Sequence, residues 1–258
     1  MPAPRAGRDE QRAYAERSSG VILAALIPSR AVASPRVRLF LTRHGQVASN
    51  RDLRYVGSRD ETLTDLGRSQ ADALAALLGQ LPIELVLSSP LRRALATAEA
   101  IAKAANLEVR VDDRLREQSY GSWEGLSRDE VRARSAEERA LLEAWERSAE
   151  IAPPGGESLR SVQCRALDLI EELRSGAPAT GMRWVVLVSH VGPIKSLLAS
   201  ALDLSLDRGG RRVFLDPGTV SVVDWGDPPI LRLCNSHAHA GWTSARWMET
   251  AASELGRV

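Results

Sequence analysis

From residue 37 onward the chain alternates short apolar runs with segments of helical periodicity. Val37-Arg38-Leu39-Phe40-Leu41, Leu85-Val86-Leu87 and Trp184-Val185-Val186-Leu187-Val188 have the length and composition of strands. The last is almost uniformly apolar, as expected of a central strand covered on both faces. Leu107 to Val111 predicts another strand, and Val220 to Trp225 with Ile230 to Cys234 predict a closing pair joined by a Gly-Asp-Pro-Pro turn. Thr64 is placed to cap a helix whose Leu66, Ala73, Leu74, Leu77 and Leu78 form one apolar, core-facing stripe. Residues 91 to 105 predict an Ala-rich helix, and Ser127 to about Glu150 a heavily charged helical stretch. Pro153-Pro154-Gly155-Gly156 breaks that stretch and returns the chain through a helix beginning near Glu157 or Ser158. This alternation predicts an α/β fold, a three-layer domain with a largely parallel central sheet flanked by helices.

Length and composition support one large domain: 258 residues with 44% hydrophobic content can bury a full core. The organisation expected is a leader over 1–36, disordered or added by a misassigned start, a domain over 37–236 with a helical cover at about 118–155, and a C-terminal tail over 237–258. Val21 to Ile27 followed by Ala31-Val32-Ala33 faintly resembles a secretory signal, but Asp9, Glu10 and Glu16 spoil its positive flank. With 34 basic against 33 acidic residues, no global field favours nucleic acid or a membrane surface, so the charged 127–150 stretch reads as a solvated cover. No apolar run approaches the roughly 18 residues needed to span a bilayer. Cys164 and Cys234 show neither a C-x-x-C spacing nor a framework and are expected to be buried, reduced thiols, consistent with the cytoplasm.

Three strand-like segments end in residues suited to phosphate. Arg43-His44-Gly45 follows the first apolar run, Ser88-Ser89-Pro90-Leu91-Arg92-Arg93-Ala94 follows Leu85 to Leu87, and Ser189-His190 follows Trp184 to Val188. Carboxyl ends of strands are where open α/β sheets keep their chemistry. A histidine beside a fixed positive charge is a poor resting cation but a good nucleophile toward an anionic phosphoryl group.

These motifs, with Asn50, Leu63-Thr64-Asp65-Leu66-Gly67-Arg68-Ser69-Gln70-Ala71, Thr97-Ala98, Glu117, Tyr120-Gly121-Ser122-Trp123-Glu124-Gly125 and Gly155-Gly156-Glu157-Ser158, occur in the order seen in the histidine phosphatase superfamily. The chain resembles its phosphoglycerate mutase-like branch from about residue 37 to about residue 236. The resemblance implies that His44 attacks phosphorus to give a phosphohistidine, that Arg43, Arg93 and His190 surround the transferring group, and that Asn50 contacts phosphate. At the second arginine position it selects Arg93 rather than Arg92. It implies that Glu117 protonates the leaving group; the alternative is an ion pair of Glu117 with Arg114 or Arg116. Asn50 reads otherwise as a turn residue.

The resemblance implies a metal-independent phosphomonoester hydrolase with no cofactor and a small-molecule substrate, most similar to α-ribazole phosphatase-type members, with a homodimer left open. A cofactor-dependent phosphoglycerate mutase and a non-catalytic phospho-ligand binder are the alternatives, and the Tyr120 to Gly125 segment favours the phosphatases. Val47 stands where the family often has threonine, and Val191 where glycine is common. His237-x-His239 invites a metal reading, with packing as the default. Trp123 and Trp242 are pocket candidates whose default is core.

Overall fold

Alternating residues of strand β1 (Arg36–Arg43) enter opposite cores: Val37, Leu39 and Leu41 pack on one side of the sheet and Phe40 on the other. Strand β4 (Met182–Ser189) lies parallel to β1 and divides in the same way, Val185 and Leu187 to one side, Val186 and Val188 to the other. A strand that must satisfy two apolar layers reads as an unbroken hydrophobic run.

The computed structural model describes residues 36–178, 181–207 and 213–240. With β2 (Leu85–Ser88), β3 (Val109–Val111), β5 (Val220–Trp225) and β6 (Ile230–Ser236), the described strands form one sheet in the order β3-β2-β4-β1-β5-β6. The first four in that order run parallel, and β5 and β6 are antiparallel. A short helix α1 (Ala48–Arg51) follows β1. Helices α2 (Asp65–Leu78) and α3 (Arg92–Ala105) cover the Phe40 face. Helices α6 (Leu159–Ser175) and α7 (Val191–Ala201) cover the Leu39 face.

Between β3 and α6 the chain forms the cover, α4 (Arg128–Arg134) and α5 (Ala136–Trp145). It divides at Ser135, whose side chain accepts from the Glu138 N–H and starts a new helix. The cover has its own core, with Trp123, Val131 and Leu142 fully buried and Tyr55, Tyr120 and Trp145 packed around them. The helix expected near residue 157 begins with Ser158 as its cap.

Four expectations are corrected. Thr64 does cap α2, accepting from the Gly67 N–H at 3.0 Å, but the buried stripe is Gly67, Gln70, Ala71, Leu74, Ala75 and Leu78. Leu66 and Leu77 face outward at 43% and 38% exposure. The third strand starts at Val109 because Leu107 still closes α3, its N–H donating to the Ala102 carbonyl past a left-handed Asn106. The last strand runs on to Ser236. Both cysteines are unpaired as expected but exposed: Cys164 lies off the Val162, Ala166, Leu169 stripe of α6, and Cys234 lies on the edge strand β6. The expectations for residues 1–35, Trp242 and the rest of 241–258 lie outside the described residues. No helix among the described residues is long and apolar enough to cross a membrane.

Candidate active site

The parallel strands deliver their carboxyl ends to one edge of the sheet. Arg43 is level with Ser189 across the β1–β4 pair, and Ser88 with Val188 across β2–β4, so His44, Ser89 and His190 emerge side by side. The His44 and His190 rings stand 4.9 Å apart, centroid to centroid.

His44 is 2% exposed, and its proton inventory is fixed by its neighbours. Nδ1 lies 2.7 Å from the Gly45 carbonyl, an acceptor, so Nδ1 carries the hydrogen. Arg93 donates from Nε to His44 Nε2 at 3.3 Å, and arginine has no acceptor to offer, so Nε2 carries a lone pair. Burial, then the charges of Arg93 and Arg43, hold this imidazole well below the ordinary histidine range against the opposing Gly45 bond. The site therefore holds a neutral histidine with its lone pair among arginines. Gly45 itself admits no side chain, because a Cβ there would enter the Gly67 carbonyl at the start of α2.

Both arginines are buried. Arg93, in the first turn of α3, is aimed by bonds from Nη1 to the Arg59 carbonyl at 2.6 Å and from Nη2 to the Gly57 carbonyl at 2.8 Å. Arg43 donates from Nη1 to the Leu215 carbonyl at 2.5 Å, and its Nε has no partner. Burial lowers the Arg43 guanidinium to about 10, opposed by the charges of Glu117 and Asp216. Cations held dry and unpaired by carboxylates are prepared for a doubly charged anion. His190, fully buried, bonds through Nε2 to Ser89 Oγ at 2.8 Å and leaves Nδ1 unpartnered.

Glu117 Oε1 accepts from the Gln118 N–H at 2.8 Å and from the Gly192 N–H in the first turn of α7 at 2.9 Å. The ion-pair alternative is not formed: Arg114 sits on Asp112 and Glu172, and Arg116 on Asp113. Arg165 of α6 clamps this segment, donating to the Arg114 and Glu117 carbonyls while paired with Glu157. Gln118 and Gly192, the two donors to Glu117, also border a cavity of about 300 Å³, with Tyr120, Trp145, Val191 and Lys195 among its other walls. Tyr120 joins the two regions. It walls the cavity, and burial with the charge of Glu117 raises its phenol well above 10, so it remains a donor.

The profile of the histidine phosphatase superfamily (branch 1) matches residues 39–233. The chain belongs to this superfamily. It is 38% identical over 208 residues to the glucosyl-3-phosphoglycerate phosphatase of Mycolicibacterium vanbaalenii, covering 73% of this chain and 91% of that protein. The solved mycobacterial glucosyl-3-phosphoglycerate phosphatase with VO3 superposes with a TM-score of 0.68 at 35% identity over 78% of this chain and 99% of its own. The α-ribazole phosphatase of Shigella flexneri does so with a TM-score of 0.68 at 28% identity over 78% and 96%. As a histidine phosphatase the chain is a phosphomonoester hydrolase.

Of the residues expected in this histidine phosphatase site, the fold brings together His44, Arg43, Arg93, Glu117 and His190, and leaves Arg92 exposed. Asn50 lies in α1, where its Oδ1 accepts from the Val47 N–H at 3.3 Å, the bonding of a turn residue. Val47 is core, packed with Val56, Leu63 and Ala71, and Val191 lines the cavity. Trp123 is core. The two tail histidines diverge, His237 to Asp216 and His239 to the Gly218 carbonyl. Sequence reasoning does not single out Ser89, Thr97, Tyr120 and Arg165 as site residues. Thr97 Oγ1 receives the Gly45 N–H and donates to the Arg93 carbonyl, tying the residue after His44 to Arg93. Ser89, Thr97 and Tyr120 all stand inside the family motifs, which is the available signal.

Proposed function

We propose that this hydrolase works through a phosphohistidine on His44, with Glu117 as the general acid and then the general base. The observation that carries the reading is the fixed His44 tautomer: Nδ1–H on the Gly45 carbonyl and a lone pair on Nε2 beside Arg93. In the first step Nε2 forms a bond to phosphorus while the ester P–O bond breaks, and the departing oxygen takes a proton from Glu117. Glu117 Oε2 is the oxygen suited to carry it, because Oε1 is committed to two backbone donors. In the second step Glu117 receives a proton from water, the water oxygen bonds to phosphorus, and the P–N bond breaks to release phosphate. Arg43, Arg93 and a Nδ1–H of His190 stabilise the equatorial oxygens in both steps. The amide nitrogen of Asn50 is a further donor to phosphate, its oxygen being held by the cap.

The alcohol portion of the ester lies in the cavity between Tyr120, Trp145 and Lys195, whose volume suits a small polar molecule. Glucosyl-3-phosphoglycerate, the ester for which the mycobacterial relatives are named, is the first substrate to test. The test measures phosphate release from glucosyl-3-phosphoglycerate, phosphoserine and α-ribazole 5′-phosphate, and transfer on 3-phosphoglycerate with its bisphosphate primer, all in EDTA with His44→Ala as control. Release in EDTA that His44→Ala abolishes is the expected result. Transfer without net release would make the chain a mutase, and no turnover of any ester would make it a binder.

A further inference from the structure

Arg43, the last residue of β1, is held by a loop as well as by its strand. Its N–H donates to the Thr219 carbonyl at 3.0 Å, and the Gly218 N–H donates back to the Arg43 and His44 carbonyls at 3.2 and 2.9 Å. The Leu215 carbonyl takes its Nη1. Everything that fixes residues 215–219 therefore fixes the aim of Arg43.

At the centre of that loop stands Asp216, 1% exposed. Its Oδ2 lies 2.8 Å from Nε2 of His237, which is 2% exposed, and a carboxylate acceptor requires the hydrogen on Nε2. Its N–H donates to Asn235 Oδ1 and its carbonyl receives Thr219 Oγ1, while Oδ1 is buried without a partner. His239, two residues further on, donates to the Gly218 carbonyl at 2.8 Å. A buried carboxylate with one unsatisfied oxygen is costly. A simple tie between loop and chain end would be served as well by a neutral pair. What a neutral pair cannot supply is negative charge, and the charge of Asp216, after that of Glu117, acts on the buried Arg43 guanidinium.

We infer that Asp216 and His237 form a positioning dyad that, through the 215–219 loop, aims Arg43 at the phosphoryl group, His237 holding the carboxylate in place. The inference rests on the phosphate-binding role proposed for Arg43. It gives the two histidines of His237-x-His239 separate duties on one loop, in place of the shared metal that their spacing suggests.

A double-mutant cycle tests it, with kcat/KM for ester hydrolysis and inhibition by orthovanadate as readouts. Asp216→Asn is expected to lower both kcat/KM and vanadate affinity about tenfold in the parent protein but less than about twofold when Arg43 is already Ala. His237→Ala should behave as Asp216→Asn does, and His237→Gln, which keeps a donor toward the carboxylate, should recover most of the loss. Equal losses in the two backgrounds would make the pair merely structural and overturn the inference, as would an unchanged Asp216→Asn enzyme. If Asp216→Asn fails to fold, the two His237 variants in the same backgrounds separate these outcomes by the same criteria. An Arg43→Ala enzyme with undiminished kcat/KM would instead remove Arg43 from the phosphate site, a separate failure.

Discussion

His44 is neutral because it is buried between two arginines, and in the mechanism proposed above this sets the pH range in which it can attack. Protonation removes the lone pair, so activity is lost as pH falls through the His44 pKa, which lies well below 6.5. At the other end, Arg43 loses its charge as pH rises through about 10, well before an exposed arginine would. With an activated ester that needs no general acid, kcat/KM is expected to be level across pH 6.5 and to decline around pH 10. An acidic limb centred at 6.5 or above would contradict the assigned environment. These residues are legible in the sequence because they stand at the ends of strand-like runs, inside motifs that occur in the order of one family. The support for them is not. Ser89 meets His190 across 101 residues and Asp216 meets His237 across 21, and only the folded chain makes those pairs.

At the scale of the element, period is easier to read than phase. The helical stripe of α2 is visible in the sequence, but hydropathy turns its most apolar members inward, whereas Leu66 and Leu77 point outward. The buried face passes through Gly67, which packs on the Gln46 backbone, and Gln70, whose Oε1 receives the Gln46 N–H at 2.9 Å. The helix is turned by its duty to the loop after His44, and hydropathy alone does not record that duty. Leu74→Ala is accordingly expected to cost about 2–5 kcal/mol in urea unfolding. Leu66→Gln should change stability by less than about 0.5 kcal/mol. The opposite ranking would restore the hydropathic face.

For the molecule as a whole, the alternation of runs and stripes is enough to predict a layered α/β domain, because helices on both faces oblige the inner strands to be apolar throughout. Strand order is beyond it: placing β4 between β2 and β1 depends on pairings between residues about a hundred or more apart in the chain. That order puts His44, Ser89 and His190 together and makes the site a property of the sheet edge. On the reading proposed above, substrate choice belongs to the cover and its cavity, where fold-level likeness is a poor guide. The chemistry is more sharply exposed to test. Rapid acid-free quenching of the enzyme during turnover, followed by mass spectrometry of its peptides, should find one phosphoryl group on His44, stable to base, labile to acid and absent from His44→Ala. A turning-over enzyme with no such adduct, or with the phosphoryl group on another residue, would contradict the account.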